Sequence, residues 1–275
     1  MKNLSVITIC YNEPNLEETC ESIVNQTWQD FEWIVIDGGS NKETLDIFEK
    51  YKDRIDKFIS EPDSGIYNAY NKGLKLATGK YLSFMNAGDC FYHNEVLNLF
   101  NCYVQNNKAD IYYGECEYTF RRPDNSRDIV TNNPKTVSRE FFILSNICTQ
   151  GMFIAKDIFD EYGLFNENYK VCADYEKWLQ AIRDNRTFEY LPIVVAKFDL
   201  NGISSNKKTR ILTQSERLEI RSHFFSANDI KNVEENYKMD YSFLEQLFSI
   251  KNNKTNSCKI ITLLGCHLKI KRSNK

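Results

Sequence analysis

The N-terminal third of the chain places four short apolar runs at regular intervals, with a segment of helical spacing between each pair. That alternation commits a chain to a layered α/β architecture. "LSVITIC" (4–10) is short and β-branched, as a strand buried on both faces requires. Leu16, Cys20, Ile23 and Val24 then recur at helical spacing behind Pro14 and Asn15. "EWIVIDGG" (32–39) reads as a second strand, stopped by two glycines, and Leu45 and Phe48 mark a helix entered from Ser40 and Asn41. "DKFISEP" (56–62) is the third strand, a helix covers about 65–76, and "KYLSFMN" (80–86) is the fourth strand. Short joints between these elements predict right-handed crossovers and a mostly parallel central sheet flanked by helices.

Sheets of this kind hold ligands at the carboxyl ends of their strands. Tyr11 and Asn12 follow the first strand, Asp37 the second, Asp63 the third, and Asn86-Ala87-Gly88-Asp89 the fourth. Asp, Asn and Gly gather in any turn, so one such loop says little. Four consecutive loops with the same chemistry on one rim point to a site.

The second half is less regular. "ADIYYGECEYTF" (109–120) predicts a strand with a hairpin-like continuation and a polar loop through 133. "SREFFIL" (138–144) predicts a helix and "CTQGMFIA" (148–155) a strand. Residues 156–184 read as a short helix, a stop at Gly163, a loop, and a helix from near Ala173; "FEYLPIVVAKF" (188–198) is the last strand. Beyond Lys207 the pattern predicts helix to about Lys251 and no further strands. The expected organisation is one domain over 1–206, in halves 1–115 and 116–206, with a helical C-terminal extension over 207–275.

Composition narrows the function classes. A net charge of −3 over 275 residues gives no footprint for a general nucleic-acid binder. No run approaches the roughly 20 apolar residues that span a bilayer. "MKNLSVITICYNEPN" lacks a signal h-region and cleavage site, so a cytoplasmic location is expected. Nine scattered cysteines with no C-x-x-C pair indicate neither a disulfide framework nor a zinc ribbon. Residues 251–275 carry seven Lys or Arg and no acid, interleaved with Ile260, Ile261, Leu263, Leu264, Leu268 and Ile270. Such a tail suits either an anionic membrane surface or plain solvation.

The order of motifs resembles the family 2 glycosyltransferases, the inverting nucleotide-sugar enzymes of Rossmann-like GT-A fold. "SVITICYNE" matches their opening strand, and "QTWQDFEWIVIDGGSNKET" their second strand with its nucleotide loop. "EPDSGIYNAYNKGLKLATGKYLSFMNAGD" matches the donor segment, and "CTQGMFIAKDIFDEYGLFNENYKVCADYEKWLQ" the acceptor segment. The likeness covers about 4–205 and is nearest to bacterial members that build O-antigen, capsule or exopolysaccharide. It implies a nucleotide-diphospho-sugar donor, a glycan or polyprenol-linked acceptor, and a Mg or Mn ion. The resemblance assigns Asp89 to the metal and Asp174 to the catalytic base. It assigns Tyr11, Asn12, Asp37, Asp63, Lys72, Asn86 and Ala87 to the nucleotide-sugar. The loop "NGISSN" resembles a segment that folds over the donor. Tail contact with the inner membrane leaflet would suit a polyprenol-linked acceptor.

The chemistry accounts for those residue types. Cleaving a sugar–phosphate bond leaves charge on a diphosphate, which a hard cation on one carboxylate can neutralise. Inversion at C1 needs a base on the face opposite the leaving group. Structural readings stand beside each assignment: Asp89 as N-cap of a helix in "CFYHNEVLNLF", Asp174 as a helix cap, Tyr11 as a core aromatic, Lys72 as a solvated cation. The chain also departs from the family pattern. Asn86 and Gly88 stand where acids often stand, Gly38 replaces a second acid after Asp37, and Thr149 replaces the His of a His-Gln pair ending at Gln150. Those departures leave a non-catalytic sugar-nucleotide-binding subunit as an alternative. A sugar-1-phosphate nucleotidyltransferase would carry a glycine-rich loop where this chain has "CYNEPN", and a Rossmann dehydrogenase would need G-x-G-x-x-G there.

Overall fold

The computed structural model describes residues 2–119, 129–200, 209–253, 258–263 and 266–271, with side chains up to 237. The predicted alternation is present: β1 (Leu4–Cys10), α1 (Leu16–Val24), β2 (Glu32–Asp37), α2 (Lys42–Lys50), β3 (Lys57–Ser60), α3 (Ile66–Leu76) and β4 (Tyr81–Phe84). Every residue of β1, β2 and β4 is buried, as strands covered on both faces must be. Helix α1 buries Leu16, Cys20 and Ile23 at helical spacing. Helix α2 begins where the Asn41 side chain accepts the Thr44 N–H, a standard N-cap bond.

The chain continues through β5 (Cys90–Phe91), α4 (Val96–Asn106), β6 (Ile111–Thr119), β7 (Ile129–Val130) and α5 (Arg139–Leu144). A 3-10 turn (Thr149–Gly151), β8 (Met152–Ala155), α6 (Asp157–Tyr162), α7 (Ala173–Arg183) and β9 (Phe188–Asp199) follow. These strands make one sheet in the order 3-2-1-4-8-6-9-5, with β7 paired to β6. The 3-2-1-4 portion is entirely parallel. The remainder is mixed, because β8 runs antiparallel to both β4 and β6 while β9 runs parallel to β6. The parallel expectation therefore describes the first half, and the sheet as a whole is mixed.

That order creates the crevice. The chain leaves β1 in one direction for β2 and β3, then returns to place β4 on the other side of β1. Strand order reverses there, so a cleft opens beyond the carboxyl ends of β1 and β4. Antiparallel β8 pairs Ala155 with Tyr81 and Ile154 with Leu82, which brings its starting end, and the 3-10 turn before it, to the same rim.

Two compact units divide the chain, Met1–Phe224 and Phe225–Lys275. Helix α8 (Arg210–Phe224) belongs to the first, so the boundary expected at 206 moves to 224. Its anchors are polar: Glu216 accepts the backbone N–H groups of Lys170, Val171 and Cys172, Arg217 donates to the Ser145 carbonyl, and Arg221 to that of Ile143. Hydrophobic periodicity cannot register such anchors. The second unit holds α9 (Ala227–Leu247) and an antiparallel sheet of β10 (Phe248–Asn253), β11 (Cys258–Leu263) and β12 (Cys266–Lys271). The helical extension expected over 207–275 is thus corrected: it ends at Leu247, and strands follow. The period-two alternation of Leu268, Lys269, Ile270 and Lys271 suits a strand.

No helix among the described residues is long and apolar enough to cross a membrane. The loop 201–206, expected as a lid, and the side chains of the basic tail lie outside the described residues.

Candidate active site

The first two loops are stapled together. Past β1, Tyr11 is 67% exposed, which removes the core-aromatic reading and leaves an open ring on the rim. Asn12 adopts φ +50°, a left-handed conformation that Asn tolerates. Its N–H donates to Ser40 Oγ (2.8 Å) and its Oδ1 accepts the Asn41 N–H (2.8 Å). Asp37 is fully buried, and its Oδ2 accepts from the Gly39 N–H (3.1 Å), the Ser40 N–H (3.0 Å) and Ser60 Oγ (2.6 Å). Its Oδ1 is buried with no partner, an unmet acceptor that costs about 1–3 kcal/mol. Asp37 therefore shapes the loop and keeps one oxygen in reserve for a donor.

Asp63 holds the Gly65 N–H, and its other oxygen lies 2.5 Å from where a Cβ on Gly38 would stand. A side chain at position 38 would require the Asp63 carboxylate to shift. Lys72 is tied to Glu61 (2.9 Å) and to the Pro62 carbonyl (3.1 Å), so its charge holds the loop between β3 and α3.

Asp89 caps no helix. Strand β5 follows it directly, and α4 starts only at Val96. The turn before it closes through Asp89 N–H to the Asn86 carbonyl (2.9 Å), with Gly88 at φ +96°. A side chain at 88 would be strained and would press on the Glu13 carboxyl. Asn86 Oδ1 accepts from Tyr70 Oη (2.7 Å), and the Ala87 N–H ties this loop to the Ile9 carbonyl of β1 (3.0 Å).

Asp89 itself is buried. Its Oδ1 accepts the Asp199 N–H (2.9 Å), and the nearby Gln150 side chain favours its charged form. Burial, with the nearby Asp199 and Glu13 carboxylates, pushes its pKa up to about 8. Glu32, at the opposite end of β2, shows what a structural acid looks like in this fold. Burial works against its charge too, but Lys57 (2.7 Å), Ser5 and Thr78 hold its carboxyl below the usual range. Among the described residues Asp89 has no such cation. A buried oxygen donor with two further acids beside it suits a hard divalent ion. No group of three His, Cys, Asp or Glu gathers to hold a metal among the described residues. The fit is therefore one carboxylate completed by ligand phosphates.

Asp174 lies in the first turn of α7, but the cap position is Cys172. Its Oδ2 accepts from Thr149 Oγ1 (2.8 Å), and its Oδ1 from Tyr67 Oη (3.1 Å) and the Tyr175 N–H (2.8 Å). Burial raises its pKa and these donors oppose the rise. Thr149 and Gln150 are consecutive, so one step of chain touches both acids. Sequence reasoning missed Tyr67, Asp199 and Glu13. Asp199 ends β9 on the same rim, so the carboxyl-end rule would have found it; Tyr67 looks like one more core aromatic on α3.

Comparisons with known proteins bear on the family and the fold. The description "Glycosyl transferase family 2" matches residues 5–163. A PGL/p-HBAD biosynthesis glycosyltransferase of Mycobacterium tuberculosis is 31% identical over 191 residues, 68% of this chain and 72% of that protein. Among solved structures, S. aureus TarS 1-349 in complex with UDP-GlcNAc superposes with a TM-score of 0.60 at 15% identity, covering 100% of both chains. A Pyrobaculum calidifontis mannosyltransferase in complex with GDP-Man and Mn2+ gives 0.54 at 13% identity, over 87% of this chain and 81% of that one.

Proposed function

The chain belongs to glycosyl transferase family 2 and is a glycosyltransferase of GT-A fold; from that premise we propose an inverting transfer. The donor is a nucleotide-diphospho-sugar and the acceptor a hydroxyl of a glycan or lipid-linked glycan, in surface-polysaccharide synthesis. The observation that carries the reading is the pair of carboxylates on one rim, Asp89 held by the Asp199 N–H and Asp174 held by Thr149 and Tyr67. The names of the relatives support it: one is named for PGL/p-HBAD biosynthesis, and two structural neighbours were solved with UDP-GlcNAc or with GDP-Man and Mn2+.

Each residue then has a task. Tyr11 offers its exposed face to the base, while Asn12 and Asp37 fix the loops that receive the nucleotide. Asp89 would hold a divalent cation, which would supply Lewis-acid neutralisation of the diphosphate leaving group. Asp174 accepts the acceptor hydroxyl proton as that oxygen attacks C1. The C1–O bond to phosphate breaks on the opposite face, its electron pair leaving with the diphosphate, and the anomeric configuration inverts. Asn86 and Ala87 hold the turn that aims Asp89.

A panel of UDP-, GDP- and dTDP-sugars with Mn²⁺ or Mg²⁺, read by thermal shift and by donor hydrolysis, tests this reading. Metal-dependent stabilisation by one nucleotide class is expected; no stabilisation by any would overturn it. We also propose peripheral membrane contact through 251–275. Co-sedimentation with anionic liposomes should weaken when that segment is removed, and identical pelleting would end the idea.

A further inference from the structure

We propose that Thr149 and Tyr67 are positioning residues that hold the Asp174 carboxylate ionised and aimed at the acceptor; the inference rests on the reading of Asp174 as the base. Thr149 Oγ1 reaches Oδ2 at 2.8 Å and Tyr67 Oη reaches Oδ1 at 3.1 Å, one hydroxyl on each oxygen. The Tyr175 N–H adds a third donor at 2.8 Å. Two donors on different oxygens fix both the plane and the tilt of a carboxylate, which one donor cannot do. They also stabilise the charged form against its burial.

Both hydroxyls come from rigid places. Tyr67 is buried in the first turn of α3, its ring packed on Phe165 (5.4 Å between centroids) and Tyr70 (6.0 Å). Thr149 is buried in the 3-10 turn. A threonine suits position 149 because a neutral hydroxyl donates to the carboxylate without a competing charge. The titratable groups facing Asp174 are Tyr67 and Tyr70 on α3 and Cys172 ahead of its own helix, with Glu216 of α8 on the far side of the Cys172 amide. Burial holds both tyrosines well above neutrality and pushes the Cys172 thiol up to about 12, so none of these three titrates where the base does.

The test uses Thr149→Val and Tyr67→Phe, which remove only the hydroxyls and keep the packing. Assays are run at saturating Mn²⁺ so that the cation corner does not titrate. Each variant should lose about tenfold in kcat with donor KM nearly unchanged. The acid limb of kcat should move to higher pH by about one unit, because each lost donor had favoured the ionised base. Thr149→Ser should restore both values. Wild-type kcat and an unmoved limb in both variants would overturn the proposal, and so would equal losses in KM and thermal stability with the limb unmoved. Asp174→Asn separates the two levels: if it leaves transfer intact, the base assignment fails. If it abolishes transfer while the hydroxyl variants behave as wild type, only the positioning role fails.

Discussion

Asp89 and Asp174 sit on one rim of one sheet, and their surroundings treat them in opposite ways. Asp174 has two hydroxyls and an amide on its two oxygens and no acid among its bonding partners. Asp89 has an amide and the Gln150 side chain, and two acids beside it. Burial raises both; at Asp89 neighbouring carboxylates add to the rise, whereas at Asp174 the hydroxyl and amide donors oppose it. The difference teaches how the same side chain is prepared for two jobs. A carboxylate given donors can stay ionised and take a proton; one given acidic neighbours is made whole by a cation.

The largest expected break in this contrast is Asp89→Asn, which should cost about a thousandfold in metal-dependent turnover. Asn86→Ala, three residues away, should leave much of that turnover, since Asn86 serves the turn and Tyr70. Asp174→Asn should cost several hundredfold in transfer, within the roughly 10²–10⁴ range of a general base, while nucleotide affinity persists. Third, Asp89 holds a proton below about pH 8 that an incoming cation must displace. Mn²⁺ affinity measured by calorimetry should therefore tighten about fiftyfold from pH 6 to 8 and level off above that. The same sign governs stability: with its folded pKa raised, Asp89 binds more protons folded than unfolded. Without metal, the contribution of Asp89 to stability should fall as pH climbs toward 8. Tyr11→Ala should weaken nucleotide binding about tenfold through lost stacking. Smallest is Lys72→Met: its charge is spent on Glu61, so donor KM should move by less than about threefold.

The parallel half of the fold was legible because strands buried on both faces advertise themselves as apolar runs, and four Asp- or Asn-bearing loops share one rim. The pairing of Thr149 with Asp174 was not legible, because it depends on β8 running antiparallel and carrying the 3-10 turn back to the end of β4. Glu216 was equally hidden: a polar anchor on backbone amides leaves no periodic trace. The departures at Gly38 and Gly88 looked like lost acids in the sequence. In the structure a side chain at Gly38 would displace the Asp63 carboxylate, and one at Gly88 would be strained by its positive φ.

Calorimetric titration of the donor nucleotide with Mn²⁺ into wild type, Asp89→Asn and Asp174→Asn tests the division of labour most directly. Metal-dependent nucleotide binding should vanish in Asp89→Asn and persist in Asp174→Asn, although both lose transfer. Metal-dependent binding that survives Asp89→Asn, or that disappears in both variants alike, would contradict it.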